Sequence, residues 1–170
     1  MKKKNKKISL NFSVGDMVVY PSHGVGQVDS IESLEINKIK KDFLSIQMEQ
    51  DNLKLKIPFD KVNDVGLRKL ASRRTVQEAL KLLKGKARVR RMMWSRRAQE
   101  YTGKINSGSL LMISEVVRDL YRKNNQPEQS YSERQMFQSA VSRLARELAA
   151  VEKIDHFSAT EKIESFLQNK

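Results

Sequence analysis

Across residues 12–68 apolar side chains recur at every second position, the spacing of strands that bury one face. The pattern predicts five short strands. Residues 16–20 form one, and the tetrad Pro21-Ser22-His23-Gly24 reads as a turn before residues 26–31 resume around Val28. Residues 43–48 alternate Leu44, Ile46 and Met48 with Ser45 and Gln47. After an Asp51-Asn52 turn, Leu53, Leu55 and Ile57 alternate with Lys54 and Lys56, up to Pro58, which cannot donate to a sheet ladder. Five strands in fewer than sixty residues imply a small, strongly curled barrel of the SH3 or Tudor kind.

After Leu70 the period becomes helical. Thr75-x-x-Glu78 predicts a capping box ahead of Val76, Ala79, Leu80 and Leu83, with Gly85 as the stop. A basic connector at 86–91 leads to Met92-Met93-Trp94. A second helix is expected from about Ser95, presenting Ala98, Tyr101 and Ile105. Leu110, Ile113, Val117, Leu120 and Tyr121 mark a third, closed by Asn124-Asn125-Gln126-Pro127. Ser130-x-x-Glu133 opens a fourth, whose buried stripe is Phe137, Ala140, Val141, Leu144, Leu148 and Val151. Ser158-x-x-Glu161 opens a short fifth using Ile163, Phe166 and Leu167. The expected fold class is therefore α+β: a disordered basic tail at 1–11, a small N-terminal SH3/Tudor-like β-barrel at 12–69, and a five-helix C-terminal bundle at 70–170.

Charge changes this picture by its placement. The chain of 170 residues carries +13, which makes a polyanion the first partner to consider. Residues 1–11 hold five lysines and no acid, and residues 12–70 hold eight basic and nine acidic side chains. Residues 71–97 hold ten basic residues against Glu78 alone, whereas residues 98–170 balance ten against ten. Such a focused band attracts phosphates by counterion release, while the N-terminal lysines read as a solubilising tail. The chain lacks cysteine, which fits a reducing compartment and excludes a thiolate metal site. Neither a signal-like apolar stretch nor about eighteen consecutive apolar residues occurs, so a cytoplasmic chain without membrane contact is expected.

Catalytic groupings are sparse. His23 and His156 are the two histidines, neither beside a paired carboxylate, so no metal, cofactor or triad chemistry is expected. Gly24-Val25-Gly26 lacks the later glycine, lysine and helix of a phosphate loop and reads as a turn between strands. The chain is expected not to be an enzyme. Trp94, the sole tryptophan, lies between Arg90-Arg91 and Arg96-Arg97. A lone tryptophan is more often a packing residue. Here four guanidiniums bracket the ring, an arrangement that neutralises phosphates while the ring presses on a distorted base step. Lys86 and Arg88 extend the same band. Affinity from phosphates, with little base reading, is the expectation.

VGDMVVYPSHGVGQVDSIE, the Leu53-to-Pro58 strand, MWSRR and SEVVRDLYR, in that order, resemble the CarD/CdnL family of transcription regulators over about residues 12–167. The barrel motif alone also resembles the polymerase-interacting domain of transcription-repair coupling factors. The resemblance implies that the barrel binds the β subunit of bacterial RNA polymerase. It also implies that the helical part reaches promoter DNA, at its backbone and minor groove, at the upstream edge of the bubble. By matching position it makes Trp94 a minor-groove wedge and Arg96 and Arg97 its phosphate-binding neighbours. Lys56, with Lys54 beside it, falls where the family places a basic residue facing polymerase. Leu34 stands where some relatives carry a polymerase-facing arginine, and Gln99 where some carry a DNA-facing lysine. The implied function is stabilisation of the open promoter complex; separately, a monomer is expected. Competing expectations are a KOW-like RNA- or ribosome-binding protein and a polymerase-docking module without DNA contact.

Overall fold

The computed structural model describes residues 11–169, so the lysine run at 2–7 and most of the expected tail lie outside the described residues. Two compact units are present. One comprises the chain up to Tyr20 and Val25–Lys69, the other Pro21–Gly24 and Leu70 onward. Among the described residues there are five strands, β1 (Met17–Tyr20), β2 (Gly24–Ile36), β3 (Ile39–Met48), β4 (Lys54–Pro58) and β5 (Arg68–Lys69). They form one sheet in the order β4-β3-β2-β1-β5. The pairings β2–β3, β3–β4 and β1–β5 are antiparallel.

The β2–β3 hairpin is much longer than the alternation suggested. Its ladder runs from the pair Gly26 and Met48 out to Ile36 and Ile39. Asn37 and Lys38, both at positive φ, supply the two-residue turn that matches strand twist. Gly24-Val25-Gly26 is not a turn but the start of β2, and Val25 is buried. The glycine at 26 is dictated by packing, because a Cβ there would stand 2.8 Å from Ile46 Cγ2 and 2.9 Å from the Gln47 carbonyl oxygen. A register shift between Val28 and Ser30 then swaps the faces of β2. Val18, Val28, Leu44, Ile46, Met48 and Ile57 fill the core of this unit, closed by Val62 and Leu67.

The second unit holds α1 (Arg73–Leu83), α2 (Trp94–Ile105), α3 (Leu110–Leu120), α4 (Tyr131–Glu152) and α5 (His156–Gln168). Their apolar stripes meet in one core that includes Leu80, Leu83, Val117, Leu120, Leu144, Leu148 and Ile163. Full burial of each such side chain contributes about 1.5–3 kcal/mol. Two helices begin earlier than their Ser/Thr-x-x-Glu signatures implied. Ser72, not Thr75, caps α1, its hydroxyl accepting the Thr75 N–H at 3.1 Å. Asp155, not Ser158, caps α5 in the same way. Ser130 caps α4 as expected.

Candidate nucleic-acid interface and docking face

The connector between α1 and α2 has no helix or strand, and α3 anchors it at Arg88. Asp119, buried on that helix, accepts the backbone N–H of Arg88 at 2.9 Å while pairing with the buried guanidinium of Arg118 at 2.8 Å. One carboxylate thus neutralises a charge in the core and fixes the basic segment. Burial of this pair is tolerated because Asp119 Oδ1 takes both the charge-assisted bond from Arg118 and the Arg88 amide bond.

Downstream, α2 begins on Met93, which offers no side-chain cap, and its first turn contains no acid. The N–H groups of Arg96 and Arg97 both reach the Met93 carbonyl, at 3.1 and 3.2 Å. Arginines at the positive end of a helix are unfavourable by about 0.3–1 kcal/mol each at a surface, a cost an external anion removes. The terminus therefore carries positive potential that no acid of its own first turn offsets.

Of the seven candidate DNA contacts, Lys86, Arg91 and Arg96 are exposed and make no ion pair among the described residues. Arg90 is exposed and lies 3.7 Å from Glu100. Arg88, Arg90 and Arg97 line one cleft together with Glu100 and Tyr101. Of the four guanidiniums expected to bracket the ring, Arg97 lies over it, with Cζ 5.4 Å from the Trp94 ring and 5.7 Å from that of Tyr101. Trp94 itself is half-buried against the helical core. Its ring is tilted 49° to Tyr101 at 6.3 Å, and its indole N–H donates to the Ser132 hydroxyl at 3.1 Å. Met93 beside it is 74% exposed.

In the sheet unit, register alone gathers the three candidate docking residues. Lys56 pairs with Ser45 and Ser45 with Ser30, so these share the face opposite Leu44 and Ile46. Alternation from Ser30 puts Glu32, Leu34 and Ile36 on that face, and alternation from Lys56 adds Lys54. β4 is an edge of the sheet. Lys54 pairs with Asp29 at 2.7 Å and Lys56 with Glu32 at 3.0 Å. The hydrogen bonds from Lys56 and Ser30 hold the Glu32 carboxyl below its usual range, and the bond to Asp29 raises the Lys54 ammonium. Leu34, Ile36 and Ile39 leave an apolar strip exposed beyond the ion pairs.

Sequence reasoning found the basic band and the lysines but missed Asp119, Ser132, Asp29 and Glu32. Asp29 and Glu32 need the register, and Asp119 and Ser132 need the tertiary fold. Among the described residues no group of three His, Cys, Asp or Glu could hold a metal ion, and no helix is long and apolar enough to cross a membrane.

Residues 12–71 match the family model described as CarD-like/TRCF RID domain, and residues 78–164 match that of the CarD C-terminal domain. The candidate transcription factor YdeB of Bacillus subtilis (strain 168) is 31% identical over 143 residues, 84% of this chain and 94% of YdeB. The transcription-repair-coupling factor of the same organism is 42% identical over 52 residues, 31% of this chain and 4% of that protein. The solution structure of the 72-residue N-terminal domain of Myxococcus xanthus CarD is 39% identical, covering 36% of this chain and 81% of that domain, with a TM-score of 0.31. With both halves of the chain matched in order and one relative aligned along nearly its whole length, the protein belongs to the CarD-like family of transcription regulators.

Proposed function

We propose that the chain binds the β subunit of RNA polymerase through its N-terminal unit, a Tudor-like barrel, and stabilises the open promoter complex by inserting Trp94 into the minor groove at the upstream edge of the bubble. The observation that carries this reading is the start of α2. An uncapped, acid-free helix terminus bears Trp94, with Arg96 and Arg97 in its first turn and Lys86, Arg88, Arg90 and Arg91 leading into it. Phosphates supply the affinity there. An apolar wedge of Trp94 and exposed Met93 is accepted by a widened, unstacked step more readily than by closed duplex. A group that binds one of two DNA states better shifts the equilibrium toward it by the difference in affinity.

Docking makes weak DNA affinity sufficient, because tethering raises the local concentration of the basic segment near the promoter. The face carrying Lys54, Lys56 and Leu34 suits this role: it combines an edge strand, two ion pairs that can exchange partners and an exposed apolar strip. Membership of a transcription-factor family supports a regulator that is not an enzyme.

Replacing Trp94 by alanine and following the lifetime of heparin-challenged open complexes tests the wedge. Stacking an aromatic ring on a base is worth about 1–3 kcal/mol, so the lifetime should fall by about fivefold or more while polymerase binding persists. Unchanged lifetime together with unchanged polymerase binding rules the wedge out.

A further inference from the structure

We infer that Ser132 and Arg97 are positioning residues for Trp94, and that Ser132, by occupying the indole N–H, makes the ring a wedge that does not read base identity. The inference rests on the wedge reading above and adds the residues that orient it. The Ser132 hydroxyl, on the first turn of α4 and 38 residues from the indole, accepts its N–H at 3.1 Å. On the ring itself lies the Arg97 guanidinium, whose terminal nitrogen also reaches the Tyr101 hydroxyl at 3.5 Å. Arg97 Nε is buried without a hydrogen-bond partner. That guanidinium is therefore committed to two rings rather than extended into solvent, unlike exposed Arg96. A half-buried indole with one hydrogen bond and a cation over its ring has lost rotamer freedom before DNA arrives. Ordering of the side chain then costs little on binding.

The consequence for recognition follows from minor-groove chemistry. Its floor presents A N3 and T O2 as acceptors, which a free indole N–H could read. With the N–H held by Ser132, the ring has only its apolar surface to offer, so discrimination falls to how easily a step opens.

Because Trp94 is the sole tryptophan, its fluorescence reports on this cluster alone. In the full chain, Ser132→Ala should shift the emission and lower its anisotropy, and shorten open-complex lifetime by about two- to tenfold, the weight of one hydrogen bond. Ser132→Thr should restore both. Arg97→Lys keeps the charge but not the flat stacking surface, so it should change the emission too. Thermal melting should move little for Ser132→Ala, since the side chain is exposed. Normal emission and lifetime in Ser132→Ala, in a protein where Trp94→Ala does shorten the lifetime, overturns the positioning role and leaves the wedge standing. If Trp94→Ala has no effect, the wedge fails instead. An Arg97→Lys protein with native emission assigns Arg97 to phosphate and removes it from the cluster.

Discussion

Asp155 accepts both the backbone N–H and the hydroxyl of Ser158, and these bonds hold its carboxyl below the ordinary value of 3.8. A depressed carboxylate contributes stability that is fully present above the unfolded value and is lost as pH falls through the folded one. Asp155→Asn keeps an acceptor at the cap but cannot titrate. The melting temperature of the native chain should therefore drop relative to Asp155→Asn between neutral pH and pH well below 3.8. A difference that is the same at both pH values would show that the cap does not titrate. The same residues explain a misreading of the sequence. Thr75-x-x-Glu78 and Ser158-x-x-Glu161 satisfy the capping pattern, yet Ser72 and Asp155, three positions earlier, also offer side-chain oxygens. Extended backbone at those earlier residues decides the matter, with ψ of 158° and 162°. No local pattern distinguishes the two frames.

At the scale of elements, helices were more legible than strands. Stripes such as Leu144 and Leu148 repeat at helical spacing and are buried where the repeat puts them. The β2–β3 hairpin was only partly visible. Its turn, Asn37-Lys38, lacks the glycine that usually marks two residues at positive φ, and its outer half carries Leu34, Ile36 and Ile39 on an exposed face. The register shift after Val28 also broke the alternation that a strand reading follows. Gly26 lies at the other end of the same hairpin and gives it a direct test. Gly26→Ala pushes a methyl group into Ile46, Met48 and a backbone oxygen, so it should cost about 1–3 kcal/mol. Urea unfolding should show a lower midpoint with the slope retained; an unchanged midpoint would mean the strands separate at no cost. Of the candidate site, the charge band and the tryptophan were legible because they are contiguous. Ser132 was not, since only the packing of α4 beside α2 brings it to the indole.

For the whole molecule, the two family matches divide the chain at 71 and 78, and the second match favours a CarD-like protein over a lone KOW-like barrel. If the sheet unit captures polymerase and the helical unit contacts DNA, the two activities are separable by mutation. Lys56→Glu places an acid opposite Glu32 and should weaken polymerase capture about tenfold, the scale of removing a charge from an interface. Salt-dependent DNA binding by the same full-length variant should be unchanged. Equal loss of both would refute the division of labour. The buried carboxylate of Asp119 sets a different kind of limit. Because it anchors the Arg88 amide and the Arg118 guanidinium together, the smallest transplantable version of the arginine-rich segment is not a peptide but a segment plus α3. An engineer moving this segment to another scaffold must carry its anchor along.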